Sequence, residues 1–298
     1  MAHAHDGDGE LPAAIGRTFV IGITLNVGFV IIESLYGWRA GSLALLADAF
    51  HNLSDVGGLL LAWAGLAAGR LAPNDRHTYG WRRGSILASF GNAVLLLVAM
   101  GSLAWEAAHR LRSPVAIDGT TVIVVAAIGV AVNAATAALF FRGRKGDLNI
   151  RAAFLHMAAD TLVSLGVVAA GAIYLWQAWT WVDPAVSLVV AAVIVVGTWS
   201  LFHESLHLLF DGVPHGIDVR DVRATLLALP GVQGLHDLHV WGMATSQTAL
   251  TAHLVLDARH DDHDALLRAA IHALEERFKI RHVTLQLEFA DCPNAGHC

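Results

Sequence analysis

Residues Val115–Phe141 read VAIDGTTVIVVAAIGVAVNAATAALFF, with a single charged side chain, Asp118, near the start. A helix needs about 20 predominantly apolar residues to cross the hydrocarbon of a bilayer. This stretch meets that need, and one such run already argues for a membrane protein. Working outward from it, five more runs of the same kind appear: Ile15–Trp38, Leu43–Gly69, Gly84–His109, Ala152–Trp176 and Trp181–Leu209. Together they explain why the 298-residue chain is 55% hydrophobic and only 15% charged, a charge content far below that of ordinary soluble domains. After Phe210 the apolar runs shorten and charges become frequent, and the remainder is long enough for one small soluble domain.

The expected organisation is a polar N-terminal tail (1–14), an all-α bundle of six membrane helices (15–209) and a cytoplasmic α/β domain (210–298). The N-terminal MAHAHDGDGE carries no positive n-region or cleavage site, so the first span is read as retained. Basic residues set the orientation. Arg17, Arg70, Arg76, Arg82, Arg83, Arg142, Arg144, Lys145 and Arg151 fall on one side, and Arg39, Arg110 and Arg112 on the other. The first set is therefore assigned to the cytoplasm, with both termini, and the membrane to the cell (inner) membrane. The formal charge of −6 and the lack of a basic stripe give no reason to expect nucleic acid as a partner.

The tail reads α-β-β-α-β. Asp218 caps a helix running to about Leu229, where Pro230-Gly231 stops it. Gly234–Trp241 and Ala249–Leu256 read as strands joined near Thr245-Ser246. A helix covers about Asp262–Phe278, and His282–Phe289 alternates as a strand. That order suggests a ferredoxin-like sandwich without its first strand.

Two of the membrane runs carry ionisable groups. The second contains His51-Asn52-Leu53-Ser54-Asp55, and the fifth His156-Met157-Ala158-Ala159-Asp160. His and Asp at i, i+4 share one helix face. Charged residues in mid-membrane are costly and mark ion pathways. Two such helices face to face offer two imidazoles and two carboxylates, a set that suits tetrahedral Zn²⁺, although imidazole also suits other divalent ions. Asp48 lies one turn before Asn52 and is placed on the pathway rather than in the site. Glu33, Asn26, Asn92 and Asn133 read as groups that hydrogen-bond between helices.

A competing motif is His203-Glu204-Ser205-Leu206-His207, which matches the H-E-x-x-H of zinc proteases. It lies at the end of the sixth run rather than in a shielded cavity, and the nearest acid, Asp211, is one turn past His207 on the same helix or its end. An intramembrane metalloprotease is the alternative function, and a metal sensor that moves nothing is a third.

The segments Leu46–Asp55 and His156–Asp160 resemble the cation diffusion facilitator family, specifically its zinc-transporting branch. The resemblance extends through His77-Thr78-Tyr79-Gly80-Trp81-Arg82-Arg83, Val182-Asp183-Pro184, Leu209–Pro214 and His236-Asp237-Leu238-His239-Val240-Trp241. It implies a homodimer that exports divalent cations from the cytoplasm in exchange for protons by alternating access, with no catalytic chemistry and no organic cofactor. It names Zn²⁺ as the substrate favoured by His51, Cd²⁺ and Co²⁺ as further substrates, and Zn²⁺ as a regulatory ion of the tail. By the same resemblance His236, His253, His282 and Glu288 stand at the tail's metal positions, with His263 a further candidate. His282 and Glu288 also fall on one strand face by alternation. Some members have a second site in the loop after span two; here His77 keeps the first position but Trp81 replaces the second, so that site is expected to be absent or feeble. Cys292, His297 and Cys298 with His3 and His5 suggest a delivery clamp. The short Arg142–Leu148 connection, without a His-rich insertion, suits a compact bacterial exporter.

Overall fold

The computed structural model describes residues 13–69, 71–141, 148–257 and 262–289. Six long helices come first: α1 (Ala13–Ala40), α2 (Leu43–Gly69), α3 (Gly84–Arg112), α4 (Gly119–Phe141), α5 (Leu148–Gln177) and α6 (Val182–Leu209). Each covers one of the apolar runs to within a few residues. Run four begins later than its hydropathy suggests, because Asp118 caps the helix by accepting from Thr121 N at 3.1 Å. Among the described residues, four segments are long and apolar enough to cross a membrane: Gly84–Arg112, Gly119–Ala138, Phe154–Gln177 and Val182–Leu209. Their surfaces agree. Trp105, Trp176 and Val196 are 79%, 82% and 76% exposed, an apolar exterior that lipid accommodates and water does not.

The chain divides into two compact units. The first takes the described residues up to Leu59 together with Asn92–Trp199. Its helices approach closely through glycine: a Cβ at Gly129 of α4 would meet Phe29 of α1 at 2.6 Å, and one at Gly171 of α5 would meet Ile123 of α4 at 2.8 Å. Small residues at such crossings let helices pack without a water-driven hydrophobic force. The turn from α1 to α2 is also fixed here. Gly41 takes φ +68, Ser42 Oγ accepts from Leu45 N at 3.2 Å, and Asp183 at the start of α6 accepts from Ser42 Oγ at 2.5 Å and from Leu43 N at 2.9 Å.

The second unit takes the described residues from Leu60 to Gly91 and from Ser200 onward. It holds the ends of α2, α3 and α6 and the C-terminal elements: α7 (Val219–Leu227), β1 (Val232–Ala244), β2 (Gln247–Leu256), α8 (His263–Phe278) and β3 (His282–Glu288). Asp218 and Asp262 cap α7 and α8, accepting from Arg220 N and Ala265 N, as their place before the helices predicts. The sheet order is β1-β2-β3. β1 and β2 form an antiparallel hairpin; β3 pairs parallel to β2, which α8 makes possible by carrying the chain back across the sheet. Leu226, Leu250, Leu254, Leu256, Leu274 and Ile280 are fully buried between sheet and helices.

Candidate metal sites

α2 and α5 bring the two His-x-x-x-Asp motifs together. His51 Nε2 lies 3.7 Å from Asp55 Oδ2 on its own helix and 3.3 Å from Asp160 Oδ1 on the other. His156 Nε2 lies 3.7 Å from Asp160 Oδ2 and 3.1 Å from Asp55 Oδ2. Each imidazole is thus nearer the carboxylate of the opposite helix. A tetrahedral zinc with bonds of about 2.0–2.1 Å spaces neighbouring ligand atoms about 3.3 Å apart, and the four separations scatter around that value. The ring centroids of the two histidines are 5.9 Å apart.

Burial is uneven across this group. Asp160 is 2% exposed, His51 18%, Asp55 31% and His156 45%, so the site is closed on one side and open on the other. Asp160 Oδ2 and His51 Nδ1 are buried and have no hydrogen-bond partner among the described residues. A buried carboxylate oxygen without a hydrogen bond is expensive, and a bound cation is one partner that offsets the cost. Behind the site Asp48 accepts from Ser164 Oγ at 2.7 Å, and Glu33 accepts from Asn52 Nδ2 at 3.1 Å. Asn92 Nδ2 donates to Ser54 Oγ at 3.0 Å. The bonds of Glu33 and Asn92 are the interhelical ones expected of such residues; that of Asp48 ties α2 to α5 one turn from the site. Asn133 differs: its amide is buried without a partner among the described residues.

A second group forms on the sheet. His236 and His253 are direct cross-strand partners, and Glu288 lies diagonally across β2–β3, level with Val255. His236 Nε2 is 2.9 Å from Glu288 Oε2, and His253 Nδ1 is 2.9 Å from Glu288 Oε1, the latter without hydrogen-bond alignment. Burial acts to raise the Glu288 carboxyl, but the hydrogen bond to His236 and the imidazole charges outweigh it and hold the group below the usual glutamate range. The stabilisation this gives is present at neutral pH and is lost as pH falls through the lowered value.

The structure separates His282 from these three. Alternation does place His282 and Glu288 on one strand face, but six residues of strand are about 20 Å. His282 pairs with Ala249 at the far end of β2 and packs edge-on to Tyr79, ring centroids 5.5 Å apart. Asp237 lies beside the cluster, on the other ring nitrogen of His253 from Glu288. A bulge interrupts β1 between His236 and His239, Asp237 adopts φ +49, and its carboxylate reaches 2.9 Å from His239 Nε2 and 3.6 Å from His253 Nε2. Nothing in the alternation of β1 signals this residue, because the bulge resets the strand's period. His263 is beside Phe289, 5.3 Å between ring centroids, not in the cluster.

The other sequence candidates resolve differently. His77 stacks on Trp81 at 4.3 Å, and among the described residues no metal-ligand cluster includes it. In His203-Glu204-Ser205-Leu206-His207, His207 Nε2 donates to the Val213 carbonyl at 3.1 Å, tying down the turn after α6. Asp211, the candidate third ligand, is paired with Arg83. The N-terminal histidines and Cys292, His297 and Cys298 lie outside the described residues.

Comparison with known proteins places these sites in context. Residues 19–210 match the family described as the cation efflux transmembrane domain, and residues 214–290 the cation efflux protein cytoplasmic domain. The chain is 35% identical over 293 residues to the metal cation efflux system protein CzcD of Cupriavidus metallidurans, covering 98% of this chain and 92% of the relative. It is 36% identical over 296 residues to the zinc transporter ZitB of Escherichia coli, covering 98% and 94%. It is 33% identical over 292 residues to the cadmium, cobalt and zinc/H⁺–K⁺ antiporter of Bacillus subtilis, covering 97% and 92%. Among solved structures it is similar to the metal-bound C-terminal domain of the CzcD transporter from Cupriavidus metallidurans, 36% identical over 24% of this chain and all of that one, with a TM-score of 0.24.

Proposed function

The chain belongs to the cation efflux family and is a membrane transporter of metal cations rather than an enzyme, and from that premise we infer that it exports zinc from the cytoplasm in exchange for protons through His51, Asp55, His156 and Asp160. The observation that carries this reading is the crossed square of two imidazoles and two carboxylates with an orphaned Asp160 oxygen at its closed end. Relatives named as transporters of zinc, cadmium and cobalt support the choice of substrate, with Cd²⁺ and Co²⁺ as further cargo. The relative named as a cadmium, cobalt and zinc/H⁺–K⁺ antiporter supports exchange of the metal for protons. The protease alternative has no support. Its His207 is engaged by backbone, and the family accounts for both membrane motifs.

Coupling follows from the ligands. Imidazole nitrogen and carboxylate oxygen bind metal only when deprotonated, so protons and zinc compete for one set of atoms. Low pH on the receiving side displaces the ion; the higher pH of the cytoplasm restores the empty ligands. The expected architecture is six spans (15–209) with both termini and the 210–298 domain on the cytoplasmic side of the inner membrane, and a homodimer. The bias of basic loops supports the orientation, and the family descriptions support the domain division. The direct parallel pairing of β2 with β3 supports a ferredoxin-like sandwich whose missing first strand has let its neighbours close up.

The test is zinc flux into proteoliposomes under an imposed pH gradient. Acidic lumen should drive uptake, collapse of the gradient should stop it, and cadmium and cobalt should compete. Uptake indifferent to the gradient would sink the exchange reading. In the tail, His236, His253, Glu288 and Asp237 are proposed to hold a regulatory zinc. His253→Ala in the full-length protein should weaken this binding roughly tenfold to a hundredfold, whereas His282→Ala should leave it unchanged. Zinc titrations of both variants in a background lacking the membrane ligands check this; equal losses would return His282 to the site.

A further inference from the structure

One cleft in the second unit plays no part in holding metal. It encloses about 530 Å³ between the Arg76–Arg83 loop, the first residues of α3, Leu209 at the end of α6, and Trp241 and Met243 of β1. Its walls have two characters. Arg76, Arg82 and Arg83 supply cationic groups, and among the described residues no Asp or Glu lines it. Leu87, Leu209, Trp241 and Met243 supply an apolar floor.

The charges are only partly spent. Arg83 pairs with Asp211. Arg82 bonds the neutral amide of Gln247 at 3.3 Å, which leaves its charge uncompensated. Arg76 makes no ion pair among the described residues. Two positive charges therefore face an amphipathic hollow. A metal cation is the wrong occupant: the guanidinium groups repel it, and His77, the one ligand type in the loop, is stacked on Trp81.

We propose that this cleft binds the headgroup of an anionic phospholipid. Gly84 opens α3 and Leu209 closes α6, both long apolar helices suited to crossing a membrane, so the cleft sits at the level of the headgroups. Basic pockets at the ends of membrane helices on the cytoplasmic side attract anionic lipid, and Trp and Tyr side chains favour that depth. Tyr79, Trp81 and Trp241 line this cleft. The apolar floor takes the first carbons of the lipid, which a free phosphate lacks. The first turn of α3 already bonds to the β1–β2 turn, with Thr245 N donating to Ser85 Oγ at 3.2 Å. A headgroup bridging Arg76 and Arg82 beside Trp241 reinforces that junction within the unit.

The experiment uses the full-length protein in detergent with added phosphatidylglycerol, phosphatidylcholine or inorganic phosphate, read by native mass spectrometry and by thermal melting. Phosphatidylglycerol should bind and raise the melting temperature above the phosphatidylcholine control. Arg76→Ala with Arg82→Ala should lower its apparent affinity roughly tenfold or more, while Arg76→Lys with Arg82→Lys should keep most of it. Equal binding of the two lipids by the unaltered protein overturns the proposal, as does undiminished binding by the Ala pair. Stabilisation by inorganic phosphate equal to that by phosphatidylglycerol overturns the lipid assignment and leaves a plain anion site.

Discussion

Replacing Asp160 by Ala or Asn is expected to abolish proton-driven zinc flux, a loss of at least about a hundredfold. Loss of a residue that merely supports a metal ligand costs about 10–100-fold, and Asp160 is proposed as a ligand itself. It is 2% exposed, and it touches the imidazoles of both helices, at 3.3 and 3.7 Å. Stability should move the other way. One of its oxygens is buried without a hydrogen-bond partner among the described residues, and Asn replaces that carboxylate at nearly constant volume without the cost of burying a carboxylate. Asp160→Asn should therefore melt no lower than the parent in zinc-free detergent while transporting nothing. Proteoliposome flux and metal-free melting curves are measured on one preparation. Flux above half of the parent's would remove Asp160 from the site, and a collapse of the fold would make its role structural.

Asp183→Ala is expected to give the largest loss of stability. Asp183 is 2% exposed and accepts from Ser42 Oγ at 2.5 Å and Leu43 N at 2.9 Å. It thereby caps α2 from the first turn of α6. Beside it Arg110 Nη1 donates to the Gly41 carbonyl at 2.5 Å, so the α1–α2 turn is held from two other helices. Removing the carboxylate leaves a buried amide and a buried hydroxyl without acceptors, at about 1–3 kcal/mol each. A fall of several degrees in melting temperature follows, with loss of folded protein from the membrane. Asp183→Asn keeps one acceptor oxygen and should lose about half as much. Zinc flux per folded molecule should change little, because the metal ligands are elsewhere. A melting temperature within about one degree of the parent for Asp183→Ala would refute the capping role.

These two carboxylates show how far the primary structure can be read. Both sit in apolar runs, and both are conspicuous there because a charge in hydrocarbon demands a reason. For Asp160 the reason is legible: a histidine one turn earlier, and a second copy of the pair on another run. For Asp183 it is not, since its partners Ser42 and Leu43 are remote in sequence and nothing in its own segment points to them. The tail repeats the contrast. Asp218 and Asp262 announce their helices because capping is a contact within one turn. The distance of His282 from His236 and His253 depends on the register of three strands, which alternation leaves open. Asp237 is hidden altogether by a bulge.

What the sequence determined by itself is therefore whatever depends on the next few residues: six apolar helices, the helical face shared by each His-x-x-x-Asp pair, the caps, and the strands of the tail. The tertiary structure alone decided which faces meet. It crossed the two motifs so that each imidazole lies nearer the opposite carboxylate, set His236 against His253 and Glu288, left His282 at the far end of the sheet, and turned the Arg76–Arg83 loop into the wall of a cleft. The reason is one of range. Hydropathy, periodicity and capping act within a turn or two of chain and leave their mark on adjacent residues, whereas strand register and helix crossing are settled by close packing between segments from tens to a hundred residues apart, which no local pattern records.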